Sequence, residues 1–249
     1  EAQLRASDPD SAAREYDAIP ISTSGTDFFP QAAIRACINS DRPIHLPPEP
    51  NHPHFGGTDL AFRKNSSALA LSRFQNRRVR LAYHHEERPQ PGAPLKPSVI
   101  CAGFARTALG YFCTSVRGDL HYADTAVEEF QKHTAQRGGR TDQIIYLPWS
   151  PTQENITAAF TEFRRLMLEG LLELPNDPRL ILQIEKTKTK ALAGGRVQIV
   201  LPKIGHTHGD VLMAVVLACV QVPAHDPVPT DTWSSPIVDS RWGNEGRGF

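Results

Sequence analysis

Asp59 sits in the run Phe55-Gly-Gly-Thr-Asp-Leu-Ala-Phe62, with apolar residues on both sides of it. Desolvating a carboxylate there costs on the order of several kcal/mol unless a cation or hydrogen-bond donors compensate it. Asp119 closes the β-branched run Phe112 to Gly118, and Asp210 opens the apolar run Val211 to Val222 behind His208-Gly209. Singly, each has a bland explanation as a cap or surface charge. Three carboxylates brought to one point do more. They can hold two divalent cations about 4 Å apart, one activating water and one stabilising a leaving oxygen, which is phosphodiester-cleaving chemistry. Hard oxygen ligands suit Mg²⁺ or Mn²⁺, two ions in such a site, and do not suit zinc.

The surrounding pattern says which elements must position them. Phe55 to Phe62, the turn Arg63 to Ser67, a strand from Ala68, the turn Gln75 to Arg78 and the run Val79 to Tyr83 make an antiparallel meander. After a Pro-rich loop, Pro97 to Tyr111 has helical spacing with Val99, Ile100, Phe104 and Leu109 inward. A strand over Phe112 to Gly118 follows. Thr125-x-x-Glu128 reads as a capping box for a helix over Ala126 to Gln136, stopped by Gly138-Gly139. Gln143 to Leu147 reads as a buried parallel strand. Ser150-Pro151-Thr152-Gln153 is a second capping box, with proline at the first helical position. Its helix carries Ile156, Ala159, Phe160, Phe163 and Met167, and Asp177-Pro178 starts another. Three antiparallel strands and two crossover-linked parallel ones predict an α/β fold: a mixed five-stranded sheet with helices on both faces. That layout resembles the RNase H-like fold. In it the first parallel strand lies beside the strand of Asp59, so a residue at its carboxyl end falls near that Asp. Asp119 is that residue. Asp124 is the alternative ligand, although a charge beside a helix N-terminus also explains it.

Lys plus Arg equals Asp plus Glu, 27 each, so bulk charge does not advertise nucleic acid. Lys186, Lys188, Lys190, Arg196 and Lys203 surround Gly194-Gly195 and predict a basic β-hairpin. It is either an ordinary solvated hairpin or a phosphate-backbone contact, which needs cations but no base-reading residues. His208 either positions water or substrate or is a structural turn residue. His52 and His54 are weak evidence for metal. The four cysteines form no C-x-x-C pair, which suits buried free thiols in a reducing compartment. There is no P-loop motif, no membrane-length apolar run and no signal peptide. The chain of 249 residues starts with Glu, as a fragment or processed chain would. Residues 1–54, with five prolines from Pro43 to Pro53, read as a lead-in, 55–222 as the domain, and 223–249 as a Pro-rich irregular tail.

Four stretches carry a family resemblance. Asp8-Pro9 through Arg14-Glu15-Tyr16 with Phe28-Phe29 resembles the segment joining motor to nuclease in tailed-bacteriophage large terminase subunits. Gly57-Thr58-Asp59-Leu60-Ala61 with Ser67-Ala68-Leu69 resembles the first acidic motif of their C-terminal nuclease domain. Gly118-Asp119-Leu120-His121-Tyr122, running into Glu128-Glu129, resembles the second, and His208-Gly209-Asp210 with Ala214 and Ala218 the third. The resemblance implies a metal-dependent DNA endonuclease that cuts concatemeric viral DNA during genome packaging. Asp59, Asp119 and Asp210 would hold two Mg²⁺ or Mn²⁺ ions, and Lys188, Lys190, Arg196 and Lys203 would contact double-stranded DNA. It implies an ATPase motor domain, a small terminase subunit and a portal as partners, no membrane, and action in the host cytoplasm outside the mature virion. The rival readings are another RNase H-like nuclease of resolvase or integrase type, or a non-catalytic DNA- or portal-docking module.

Overall fold

The computed structural model describes residues 26–137, 140–192, 197–203 and 209–223. The meander is β3 (His54–Asp59), β4 (Ser67–Gln75) and β5 (Arg78–Glu87), antiparallel in sequence. Asn76 (φ 55°) and Arg77 (φ 62°) are both left-handed at the β4–β5 turn, the backbone a two-residue hairpin of matching twist requires. β6 (Cys113–Asp119) lies parallel to β3, and β9 (Ile145–Trp149) parallel to β6. These five are the expected strands. Two more join beyond β5: β10 (Leu172–Pro175), parallel to β5, and β2 (Ile38–Asn39), parallel to β10. The sheet is therefore seven-stranded, in the order β2-β10-β5-β4-β3-β6-β9. The added strands are four and two residues long, and β10 is buried throughout, so neither has an alternation to read.

Successive strand residues point to opposite faces, and each face has its own core. Ala68, Ala70, Val79 and Leu81 pack under α1 (Gln31–Cys37), α4 (Gln153–Leu168), α5 (Pro178–Glu185) and α6 (Asp210–Cys219). Leu69, Leu71, Val116 and Tyr146 pack under α2 (Pro97–Gly110) and α3 (Ala123–Lys132). Every residue of α6 is buried, as expected of a helix that is apolar all round. Among the described residues, no helix is long and apolar enough to cross a membrane.

Several local expectations are corrected. The box Thr125-x-x-Glu128 does not cap a helix: α3 starts at Ala123, Tyr122 stands at its N-cap without a side-chain bond, and Thr125 lies inside. The chain enters instead through a 3-10 turn, Leu120–Tyr122, capped by Asp119, which accepts from the His121 amide at 2.8 Å. α3 ends at Lys132, and the ribbon β7 (Thr134–Arg137) with β8 (Arg140–Gln143) takes the place of its expected last turn. β9 is an edge strand, with Ile145 60% exposed, rather than a buried one. Thr152 is the N-cap of α4, so Pro151 precedes the cap instead of opening the helix. Asp177 caps α5 as expected, accepting from the Arg179 and Leu180 amides.

From Thr26 onward the segment expected as lead-in is folded into this unit. β1 (Thr26–Asp27) pairs with β11 (Lys188–Ala191), which forms the expected hairpin with β12 (Val197–Val200). Phe29 is buried against Phe160 and Phe163. The Pro-rich stretch is clamped by the buried Arg73, which donates to the Pro47 carbonyl at 2.9 Å and to Glu49 at 2.7 Å. Arg73 also contacts the fully buried His54, at 3.2 Å from Nε2. Burial first, and the Arg73 charge second, push His54 down to about 3. His54 is a neutral core histidine. All four cysteines are buried free thiols, each pushed up to about 12 by burial.

Candidate metal centre

Asp59 is the last residue of β3, Asp119 the last of its parallel neighbour β6, and Asp210 the first of α6. All three face one side of the sheet. A Cβ on Gly57, two residues before Asp59, would stand 2.1 Å from the Ala214 carbonyl oxygen and 2.5 Å from the Ala218 amide nitrogen. Residues 55, 57 and 59 therefore point at α6. The register pairs Gly57 with Arg117, so 115, 117 and 119 share that face. The reverse face is as tight: a Cβ on Gly118 would meet the Thr58 hydroxyl oxygen at 1.9 Å and the Tyr146 hydroxyl at 2.4 Å. Glycines 57 and 118 thus let helix and strands close to the separation at which the three carboxylates interact.

α6 is held where it begins. Gly209 is left-handed at its N-cap (φ 81°), which turns Asp210 inward without a side chain in the way. The buried Gln183 of α5 accepts from the Leu212 amide at 2.9 Å, serving a helix N-terminus that has no side-chain cap of its own. Asp210 is 4% exposed, and its Oδ2 accepts from the Ser66 amide at 3.3 Å. The Ser67 hydroxyl donates to the Ala61 carbonyl at 2.6 Å, pinning the β3–β4 turn that carries that amide.

Asp59 is pushed up to about 8, by burial first and then by the charges of Asp210 and Asp119. It accepts no hydrogen bond from a described residue. Asp124 lies exposed in the first turn of α3 and is not among the groups acting on Asp59. The donor set is all carboxylate, with more negative charge than the site can hold ionised. That fits a hard divalent cation in kind and in sign. The set is open: among the described residues no three His, Cys, Asp or Glu side chains already stand at ligand spacing.

The raised Asp59 gives a pH dependence with a definite sign. The unfolded chain releases this proton near 3.8, whereas the folded, metal-free chain keeps it to about 8. Folded-state stability from this group is therefore full below pH 4 and declines as pH rises towards 8. A cation takes the ionised form, so its binding expels the proton. Mn²⁺ affinity should climb by up to about tenfold per pH unit while one proton is displaced and flatten above about 8. Calorimetry in buffers of differing ionisation enthalpy reads that proton directly, and no release at pH 6 to 7 would remove the idea.

Tyr146 was not foreseen. Its hydroxyl donates to the Asp119 main-chain carbonyl at 3.3 Å and lies 3.5 Å from the Thr58 hydroxyl, tying the ends of β3 and β6 from behind. An aromatic in an apolar strand gives no sign of this in sequence. Tyr146→Phe should cost about 1 kcal/mol, a fall of roughly 2–4 °C in Tm, which a thermal melt would check.

Of the expected DNA-contacting residues, Lys188 is ion-paired with Asp27, while Lys190 and Lys203 are exposed. Arg196 and His208 lie outside the described residues. His52 pairs with Glu49 at 3.6 Å and precedes the start of β3, the end opposite Asp59.

No protein-family profile matches the chain, and no curated protein does. Solved structures do match in fold. The large terminase nuclease of thermophilic phage G20c, solved with bound magnesium, superposes with a TM-score of 0.60 at 17% identity, covering 80% of this chain and 98% of that one. The nuclease domain of the Thermus phage P74-26 large terminase gives 0.56 at 17% identity, covering 75% and 92%. The bacteriophage HK97 large terminase gives 0.58 at 16% identity, covering 79% of this chain and 43% of that longer one. The G20c nuclease has also been solved with cobalt and with zinc. The chain has the RNase H-like fold of large terminase nucleases.

Proposed function

We propose that this chain is a divalent-metal-dependent DNA endonuclease, the cutting part of a large terminase that trims concatemeric viral DNA during packaging. One arrangement carries the proposal: in a fold shared with terminase nucleases, Asp59 and Asp119 end the adjacent parallel strands β3 and β6 and Asp210 opens α6 beside them, where burial first, and then the charges of Asp210 and Asp119, raise the Asp59 pKa. Bound divalent cations would supply a lowered pKa for water and charge stabilisation at the leaving oxygen. Asp59, Asp119 and Asp210 would hold them. Mg²⁺ or Mn²⁺ suits these oxygens best, but the zinc-bound G20c nuclease removes the argument that ligand hardness alone excludes zinc.

The protein's own part is placement. Asp210 enters on a helix N-terminus, where its negative charge is favoured, and Ser66 holds one of its oxygens. Asp119 is held by the His121 amide on its side chain and by Tyr146 on its carbonyl. Exposed Lys190 and Lys203 are candidates for the DNA backbone, and Lys188 would have to leave Asp27 to join them. By fold likeness an ATPase motor, a small subunit and a portal are the expected partners, in the host cytoplasm. The test is a Mn²⁺ titration with plasmid nicking. The chain should bind Mn²⁺ and nick supercoiled DNA, and Asp59→Asn should lose both. Unchanged Mn²⁺ binding in that variant would favour a non-catalytic docking module.

A further inference from the structure

The guanidinium groups withdrawn from water at Arg42, Arg73 and Arg80 have carboxylate partners, and that of Arg117 does not. Arg73 meets Glu49 at 2.7 Å, Arg80 meets Glu173 at 2.8 Å, and Arg42 meets Glu173 at 3.3 Å. Arg117, in β6, is half-buried and has no ion pair or hydrogen bond to a described residue. A guanidinium partly withdrawn from water without an anion is a cost the fold does not offset.

Its position says which anion is missing. Arg117 shares the α6 face with Asp119, two residues and about 6.6 Å back along the strand. Its cross-strand partner is Gly57, which has no side chain, and α6 lies over Gly57. On the other side Arg117 pairs with Leu147 of β9, the last strand of the sheet. On that outer strand Ile145 is 60% exposed. Arg117 therefore stands on the strip of sheet between α6 and the edge, on a line with the carboxylates.

We infer that Arg117 is a positioning residue that binds a backbone phosphate of the DNA strand next to the phosphate addressed by Asp59, Asp119 and Asp210. The nuclease reading above supplies the substrate class. A planar guanidinium takes two oxygens of one phosphate, fixing the strand's direction across the site without reading its sequence.

The test uses the whole chain, a short DNA duplex without divalent metal, and a salt series. Arg117→Met keeps the apolar stem and removes the charge. It should weaken binding about tenfold and flatten the slope of log affinity against log salt by about 0.9, one phosphate contact. Arg117→Lys should restore the slope while recovering only part of the affinity, since it returns the charge but not the fork. Tm should not fall in Arg117→Met, which removes an uncompensated charge, and Mn²⁺ affinity should not move in either variant. Arg106→Met, exposed on α2 on the opposite face, should leave the slope unchanged. A wild-type slope in Arg117→Met overturns the inference, and so does an equal loss in Arg106→Met or no salt-dependent binding by the wild-type chain. Failure of the nuclease reading would show separately, as Mn²⁺ binding that survives Asp59→Asn.

Discussion

Asp119→Asn is expected to lower metal-dependent nicking of supercoiled plasmid by about 10³-fold or more, because losing a metal-holding carboxylate forfeits several kcal/mol of transition-state stabilisation. The fold should stay intact, since Asn caps a turn about as well as Asp and can still accept from the His121 amide. Asp124→Asn should keep most of the activity. Asp124 is exposed on the first turn of α3, where its charge contributes about 0.3–1 kcal/mol through the helix dipole. Asp119 instead ends the strand beside β3 and acts on Asp59 through space. Asp59→Asn and Asp210→Asn should follow Asp119→Asn. Nicking assays and melts on the four variants decide it. An active Asp119→Asn beside a folded, inactive Asp124→Asn would move the second ligand to α3.

The three carboxylates could be read from sequence because topology constrains them. Once the meander and the first parallel strand are recognised, the carboxyl ends of adjacent strands must meet, and Asp59 and Asp119 are the acids there. Asp210 could be read because an apolar run with a single acid at its start is a buried helix with its charge at the positive end. What escaped depends on side-chain direction or on very short pairings. β2 and β10 are too short to show a period. Thr125 had the spacing of a cap but lost the role to a 3-10 turn that Asp119 itself stabilises. Arg117 and Tyr146 acquire meaning only when the register assigns one to the α6 face and the other to its reverse.

Gly57→Ala is expected to destabilise the chain by about 3 kcal/mol or more, overpacking at its severe end, and to lower Tm by roughly 6–12 °C. Its Cβ would meet backbone atoms of Ala214 and Ala218, which have no rotamer to yield, so α6 or β3 must move. The helix has little freedom to do so. Gln221 near its far end donates to the Gly56 carbonyl at 2.7 Å, Gln183 accepts from the Leu212 amide, and Ser66 holds Asp210. Relief by lifting α6 would carry Asp210 away from Asp59, so surviving folded protein should also bind Mn²⁺ weakly and nick poorly. Gly103→Ala in α2 is the contrast: its Cβ would meet nothing within 4 Å, and its backbone is not left-handed. It should stabilise by about 0.5–1 kcal/mol through helix propensity alone. A Gly57→Ala chain that melts beside the wild type and binds Mn²⁺ equally well would mean that α6 does not rest on β3 at this residue. The placement of Asp210 would then need another explanation.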